Sequence, residues 1–208
     1  MARRSHNVPS AQRRAQILRA ATELFAQQGF NGTTTREIAE RVGVKETILV
    51  RLFPSKRELY WAVIDEKCRE RQGGRLLEDL LASESDERKM FAALATGILE
   101  RNTRDTTLTR LLLFSGLDEH ELSERFFQMY VAQYFETLAS YIRKRIRDGG
   151  FRNVDPLLAA RSFVGMIFNY FLTQELFGAR RFHKFDIAEV SNTLTDIWLG
   201  GMLKRTRS

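Results

Sequence analysis

The feature that most constrains this chain is a pair of short amphipathic helices predicted between Thr34 and Phe53. Thr34 stands three residues before Glu37, and this capping-box spacing predicts the start of a helix. Gly43 can adopt the left-handed backbone conformation that ends it. Each helix has an apolar face at helical spacing, the first with Ile38, Ala39 and Val42, the second with Val44, Ile48, Leu49 and Leu52. Two such helices joined by a tight turn are typical of the helix-turn-helix, whose second helix enters the major groove of DNA.

The outward positions of the second helix carry the side chains that would meet a duplex. They are Lys45, Glu46, Thr47, Val50 and Arg51. We expect Lys45, Thr47 and Arg51 to contact bases or phosphates. The Arg51 guanidinium matches the paired O6 and N7 acceptors of guanine, and Val50 can touch a thymine methyl group.

A wider set of residues at fixed spacings resembles the N-terminal signature of TetR-type transcriptional regulators. The resemblance covers about residues 11 to 60 and rests on Phe25, Gly29, Phe30, Thr34, Thr35, Ile38, Ala39, Gly43, Val44, Phe53, Pro54, Ser55 and Lys56. It implies an all-α fold, in which a three-helix helix-turn-helix head precedes a bundle of about six helices in a two-fold homodimer. It also implies a DNA-binding domain over residues 1–54 and a ligand-binding and dimerisation domain over residues 55–208.

The resemblance further implies a function. Such a regulator, most often a repressor, binds a near-palindromic double-stranded operator and is released by a small apolar or amphipathic effector. Thr35, Arg36 and Lys56 would mainly hold phosphates. The family more commonly has a small hydroxyl residue, an aromatic residue, and an aromatic or histidine where this chain has Lys45, Val50 and Leu52. The operator sequence therefore cannot be taken from relatives.

Positive charge is concentrated in the first third of the chain. Residues 1–60 hold 11 Lys and Arg against 5 Asp and Glu, whereas residues 61–208 hold 22 against 21. A basic surface by itself indicates only solubility. Because the excess coincides with the predicted helix-turn-helix, it favours binding to a phosphate backbone, and such binding weakens steeply with salt.

The remaining two thirds of the chain predict helices only. The longest runs from Asp118 to Gly149. Its apolar residues are expected to face inward along one stripe formed by Leu122, Phe126, Phe127, Tyr130, Val131, Tyr134, Leu138, Tyr141, Ile142 and Ile146.

The last two predicted helices indicate a contact between two copies of the chain. The first begins at Asp155-Pro156 and is apolar on nearly every side, so it must be buried on more than one side. The second begins near Asp186, and its apolar stripe consists of Ile187, Val190, Leu194, Ile197 and Trp198. We expect these two helices to form an isologous homodimer interface of four helices.

Aromatic and methionine side chains in the body predict either a ligand pocket or an ordinary packed core. The candidate pocket residues are Phe114, Phe126, Tyr130, Tyr134, Met166 and Tyr170. Residue by residue, the packed core is the simpler interpretation. The existence of a pocket is implied mainly by the family resemblance.

Sequence patterns for catalysis, metal ions or cofactors are not found. The chain has no phosphate-binding glycine loop, no HExxH and no EF-hand spacing, its three histidines are scattered, and Cys68 is its one cysteine. The longest apolar uncharged run has 13 residues, against about 20 for a membrane span. We therefore expect a cytoplasmic protein that is not an enzyme. The alternative is a small-molecule-binding protein of the same fold without specific DNA binding, which Glu46 on the groove-facing side would suit.

Overall fold

The computed structural model describes residues 10–71, 73–118 and 120–204, and these residues are almost entirely helical. They form α1 (Ser10–Gly32), α2 (Thr35–Val42), α3 (Glu46–Leu52), α4 (Lys56–Arg71), α5 (Gly73–Ser83), α6 (Glu87–Arg104), α7 (Thr107–Asp118), α8 (His120–Phe126), α9 (Ala132–Arg147), α10 (Pro156–Phe171) and α11 (Ile187–Met202). Short π-helical or 3₁₀ turns lie at Phe127–Val131, Leu172–Leu176 and Ala179–Arg181. The prediction of an all-α fold is confirmed.

The helices group into two compact units. The head unit contains α1–α4 together with α7 and α8, and the body unit contains α5, α6 and α9–α11. The head unit is therefore built from two separate stretches of the chain. These units differ from the predicted segments 1–54 and 55–208, because α4, α7 and α8 group with the helices of the first segment. The assignment of DNA binding and ligand binding to those segments stays a prediction.

Helix α1 is interrupted at Gly29. The Gly29 backbone has φ 74° and ψ −179°, a combination that is essentially limited to glycine. A Cβ atom at this position would lie 2.9 Å from Cδ1 of Phe114 in α7. Gly29 is therefore required both by its backbone conformation and by the close approach of an aromatic ring.

An aromatic cluster forms the core of the head unit. Tyr60 of α4 packs edge-on against Phe25 and Phe30, with ring centroids 4.7 Å and 5.3 Å away. The buried Tyr60 hydroxyl donates a hydrogen bond of 2.6 Å to the carbonyl oxygen of Leu111 in α7. The cluster therefore packs α1, α4 and α7 against one another within the head unit.

A second aromatic cluster fills the body unit. Phe91 of α6 contacts Phe163 of α10 and Trp198 of α11, with ring centroids 4.9 Å and 4.6 Å away. The Trp198 indole N–H donates to the Ala159 carbonyl at 3.2 Å and to the Ser162 hydroxyl at 3.1 Å. These contacts fix α10 and α11 against α6.

The prediction of one continuous α-helix from Asp118 to Gly149 is wrong. In the described residues, α8 ends at Phe126, a π-helical turn follows, and α9 begins at Ala132. Leu122 and Leu138 are buried as expected, but Phe127 is 40% exposed. A π-helical turn holds more residues per turn than an α-helix, so it displaces the apolar stripe from the course that regular spacing predicts.

The apolar stripe predicted on α11 divides between two directions. Val190 and Trp198 are buried in the body unit's own core, whereas Ile197 is 61% exposed. Leu158 on α10 is 68% exposed. Part of the predicted dimer interface is therefore packed inside the body unit. A smaller apolar surface is left on the outside of these two helices.

Two tyrosines of α9 allow a direct test of buried hydroxyl groups. The buried Tyr134 hydroxyl has no hydrogen-bond partner among the described residues, whereas the Tyr141 hydroxyl donates to Glu87 at 3.2 Å. We expect Tyr134→Phe to leave the free energy of unfolding unchanged or to raise it by about 1 kcal/mol at pH 8. Tyr141→Phe should lower it by about 1 kcal/mol, because the carboxylate loses a donor. Urea unfolding of both variants checks this.

The same tyrosines predict alkaline destabilisation. Burial raises the pKa of Tyr134 to about 12, and burial together with Glu87 raises the pKa of Tyr141 to about 12. An unfolded tyrosine titrates near pH 10. The stability that each protonated hydroxyl contributes to the folded state is therefore fully present below pH 10 and is lost as the pH rises toward 12. Either Phe variant should show a shallower loss of stability in this range. An unchanged slope would contradict the assignment.

Candidate nucleic-acid interface

The predicted turn between α2 and α3 is present. Thr34 caps α2 by accepting a 3.1 Å hydrogen bond from the backbone N–H of Glu37. Gly43 ends the helix in the left-handed conformation, with φ 73° and ψ 34°. The capping box differs from the prediction in one respect, because the Glu37 carboxylate accepts from the Gln28 amide at 3.0 Å. This bond ties the start of α2 to α1.

Helix α3 has one buried side and one exposed side. Leu49 is fully buried, and Ile48 and Leu52 are half-buried, as the spacing predicts. The predicted contact residues on the opposite side are all exposed: Lys45, Thr47, Val50 and Arg51. Helix α3 and the residue before it therefore present two cationic groups, a hydroxyl group and the methyl groups of Val50 to solvent.

Two predicted phosphate contacts on α2 are paired with carboxylates. The Thr35 hydroxyl donates to Glu46 at 2.6 Å, and Nε of Arg36 donates to Glu40 at 2.9 Å. The hydrogen bond and the charge of Glu40 raise the pKa of Arg36. Sequence reasoning missed both carboxylate partners. The i,i+4 spacing of Arg36 and Glu40 was the available signal for one of them.

The seventh predicted contact residue, Lys56, lies at the start of α4. Its ammonium group donates to the backbone carbonyls of Phe30 at 2.9 Å and Thr33 at 3.1 Å. Six of the seven predicted contact residues therefore lie on α2, on α3 or directly before α3. The side chain of the seventh, Lys56, points toward the end of α1.

Comparison with known proteins identifies the family of this chain. Residues 17–63 match the family model described as bacterial regulatory proteins, tetR family, and residues 89–200 match the AefR-like transcriptional repressor, C-terminal domain. The second match alone covers more than half of the chain. This chain belongs to the TetR family.

Individual relatives support the assignment. The chain is 30% identical over 165 residues to the nucleoid occlusion factor SlmA of Vibrio campbellii, covering 74% of this chain and 80% of SlmA. It is 32% identical over 110 residues to the HTH-type transcriptional activator FasR of Mycolicibacterium smegmatis, covering 53% of this chain and 49% of FasR. The chain is thus a DNA-binding regulator of the TetR family, which agrees with the expectation that it is not an enzyme.

A solved structure shows the same fold. The transcriptional regulator FadR from Bacillus subtilis, in complex with stearoyl-CoA, has a TM-score of 0.71 and 20% identity, covering 90% of this chain and 98% of FadR. At this identity the similarity supports the fold alone.

The six candidate pocket residues are divided between the two units. Phe114 and Phe126 belong to the head unit, and the other four belong to the body unit. A described recess in the body unit has a volume of about 50 Å³ and includes Tyr170 in its lining, but not Tyr130, Tyr134 or Met166. The assignment of these residues to a ligand pocket stays a prediction.

Metal-ligand clusters and helices that could span a membrane are absent from the described residues. Within residues 10–71, 73–118 and 120–204, no three His, Cys, Asp or Glu side chains come together as metal ligands. None of the described helices combines the length and the apolar composition that a membrane span requires.

Proposed function

We propose that this TetR-family protein is a cytoplasmic transcriptional repressor that binds a near-palindromic operator as a homodimer. A small apolar or amphipathic effector releases it. The observation that carries the proposal is the exposed face of α3, with Lys45, Thr47, Val50 and Arg51 turned to solvent over a buried Leu49. Two such helices, related by a two-fold axis, would enter successive major grooves.

Repression is favoured over activation by the C-terminal half of the chain. Residues 89–200 match a domain described from a transcriptional repressor. FasR is named as an activator, but its match covers only 49% of that protein. A reporter gene behind the isolated operator would distinguish the two, because a repressor lowers transcription when it is expressed and an activator raises it.

A homodimer contact on α10 and α11 is supported by the residues these helices leave outside. Leu158 and Ile197 are large, apolar and mostly exposed. Gly165, Gly200 and Gly201 are also exposed, and a Cβ atom built on each would meet nothing within 4 Å. Apolar side chains beside open glycine positions allow helices of a second copy to pack closely.

The effector class is supported by the composition of the body unit. Tyr134, Met166 and Tyr170 pack against its apolar core as partly buried side chains. An effector that binds such surroundings would be largely apolar. FadR of Bacillus subtilis was solved with stearoyl-CoA, so stearoyl-CoA and the free fatty acid are reasonable first probes. Loss of the operator complex in their presence, measured by mobility shift, would support release by an amphipathic effector.

The DNA-binding proposal is tested by substitution of Arg51. Fragments of the parent genome enriched by the purified protein would supply the operator. We expect Arg51→Ala to weaken operator binding by about 1–3 kcal/mol per half-site, because a guanine contact is lost. Binding to unrelated duplex DNA should change much less. Fluorescence anisotropy with both duplexes measures the two affinities.

Arg143→Ala is the matched control, because Arg143 is an exposed arginine on α9 in the body unit. It should leave operator affinity unchanged. If the wild-type chain binds all duplexes equally at two salt concentrations, the repressor proposal is wrong. The alternative of a small-molecule-binding protein without specific DNA recognition would then be favoured.

A further inference from the structure

Glu46 is an exposed carboxylate on α3 that the proposed DNA contacts do not include. It is the first residue of the helix, and its side chain faces solvent. A negative charge at this position is repelled by a phosphate backbone, so on charge alone Glu46 counts against DNA binding. Its place in the helix favours a different role, because the N-terminal residues of a recognition helix contact base edges in the major groove.

A hydrogen bond between the two helices holds the Glu46 side chain in one orientation. The hydroxyl of Thr35, the first residue of α2, donates to Oε1 of Glu46 at 2.6 Å. An exposed glutamate without such a bond samples several rotamers, and it loses that freedom when it contacts a ligand. The bond from Thr35 therefore reduces the entropy that Glu46 would lose on meeting a base.

Nearby cations offset part of the Glu46 charge. Glu40 raises the pKa of Arg36 through a hydrogen bond and through its charge, and the charge of Glu46 raises it further. This interaction places the Glu46 carboxylate close to the Arg36 guanidinium. Since residues 1–60 hold 11 Lys and Arg against 5 Asp and Glu, the carboxylate belongs to a segment that phosphates still attract.

A carboxylate distinguishes the bases because it can only accept hydrogen bonds. It has about four acceptor sites, and the Thr35 hydroxyl occupies one of them. In the major groove, cytosine presents the donor amino group at N4, whereas guanine and thymine present acceptor atoms that repel a carboxylate. Adenine presents a donor and an acceptor side by side. Cytosine is therefore the base that suits Glu46.

We propose that Glu46 is a specificity-determining residue whose carboxylate accepts a hydrogen bond from the N4 amino group of a cytosine in each operator half-site. The proposal rests on the proposed DNA-binding function. The charge of Glu46 lowers the affinity for all duplexes alike, whereas the hydrogen bond is regained only at a suitable base. Glu46 thus widens the difference between operator and unrelated DNA.

Selection of duplexes from a randomised library tests the base preference. The wild type should select cytosine at one position of each half-site, and Glu46→Ala should lose this preference. The ratio of operator affinity to the affinity for unrelated DNA should fall at least about fivefold per half-site. Glu46→Gln should move the preference to adenine, because an amide can accept from N6 and donate to N7.

Glu23→Gln is the matched control, because Glu23 is an exposed carboxylate on α1 in the same unit. It removes the same charge and should select the wild-type operator. A purely structural role for Glu46 would act through the helix dipole and the bond to Thr35. Its loss would then weaken binding to all operators equally and leave the selected base unchanged. The same selected sequence for wild type, Glu46→Ala and Glu46→Gln would overturn the proposal.

A change in the DNA tests the same contact without altering the protein. Replacing the selected cytosine with 2-pyrimidinone removes the amino group that the carboxylate is proposed to contact. We expect the wild type to lose at least about fivefold in affinity per half-site and Glu46→Ala to lose much less. Equal losses would refute the role of Glu46 and leave the proposed function standing. If the wild type selects no sequence at all, the proposed function fails and the role of Glu46 fails with it.

Discussion

Replacing Ile197 with glutamate is expected to convert the proposed homodimer to monomers and to lower operator affinity by at least about 1,000-fold. Ile197 lies on the outer side of α11 and is 61% exposed in the protomer. In an isologous interface the same surface is contributed by both copies. Two glutamates would therefore be buried against apolar surface without partners, which strongly opposes association.

The measurements are mass in solution and operator binding. Light scattering should report close to 24.1 kDa for the variant and twice that mass for the wild type. A monomer can hold only one half-site, so it loses the gain from joining two heads. Met129→Glu is the matched control, since Met129 is 54% exposed in the same unit but outside α10 and α11. A dimeric Ile197→Glu variant would refute the proposed interface.

The second large effect is expected at Gly29, where alanine should destabilise the head unit by about 2–6 kcal/mol. The backbone conformation of Gly29 contributes about 1–3 kcal/mol of this cost for any other residue. The added methyl group would lie 2.9 Å from the Phe114 ring, and such overpacking costs about 1–3 kcal/mol. Since a whole domain is stable by about 5–15 kcal/mol, much of the population could unfold. Thermal and urea unfolding monitored by circular dichroism measure the loss.

Two glycines of the same unit provide controls. Gly116 lies in α7, and a Cβ atom built on it would meet nothing within 4 Å. Gly116→Ala should therefore raise the free energy of unfolding by about 0.5–1 kcal/mol. Gly43 has φ 73° and ψ 34°, a conformation that asparagine tolerates, so Gly43→Asn should be mild. Adding Phe114→Leu to Gly29→Ala should relieve the steric part and leave the backbone part. Equal effects of alanine at Gly29 and Gly116 would contradict this account.

The helix-turn-helix could be predicted from the sequence because its determinants are local. Thr34 and Gly43 mark the two ends of α2, and Leu49 falls on the buried side of α3 by spacing alone. Each of these signals acts within about two helical turns, a range that sequence patterns report well. The exposed positions on α3 followed directly from the buried ones.

The features that the sequence could not predict depend on contacts between distant residues or on small departures from regular spacing. The hydrogen bond from Tyr60 to Leu111 joins residues 51 positions apart, and no local pattern marks it. The π-helical turn at Phe127–Val131 lies inside a run whose apolar spacing is compatible with an unbroken α-helix. The lysine at the start of α4 is visible in the sequence, but its carbonyl partners, Phe30 in α1 and Thr33 directly after α1, are 26 and 23 residues away.

The composition of the head unit bears on any attempt to build chimaeras from this regulator. A graft that exchanged only residues 1–54 would place Phe25 and Gly29 from one parent against Tyr60 and Phe114 from the other. The aromatic cluster of such a hybrid would combine side chains from two parents that need not pack together. The space at Gly29 fits the Phe114 ring of its own chain. Transplants that take residues 10–70 and 107–126 from the same parent would keep these neighbours together.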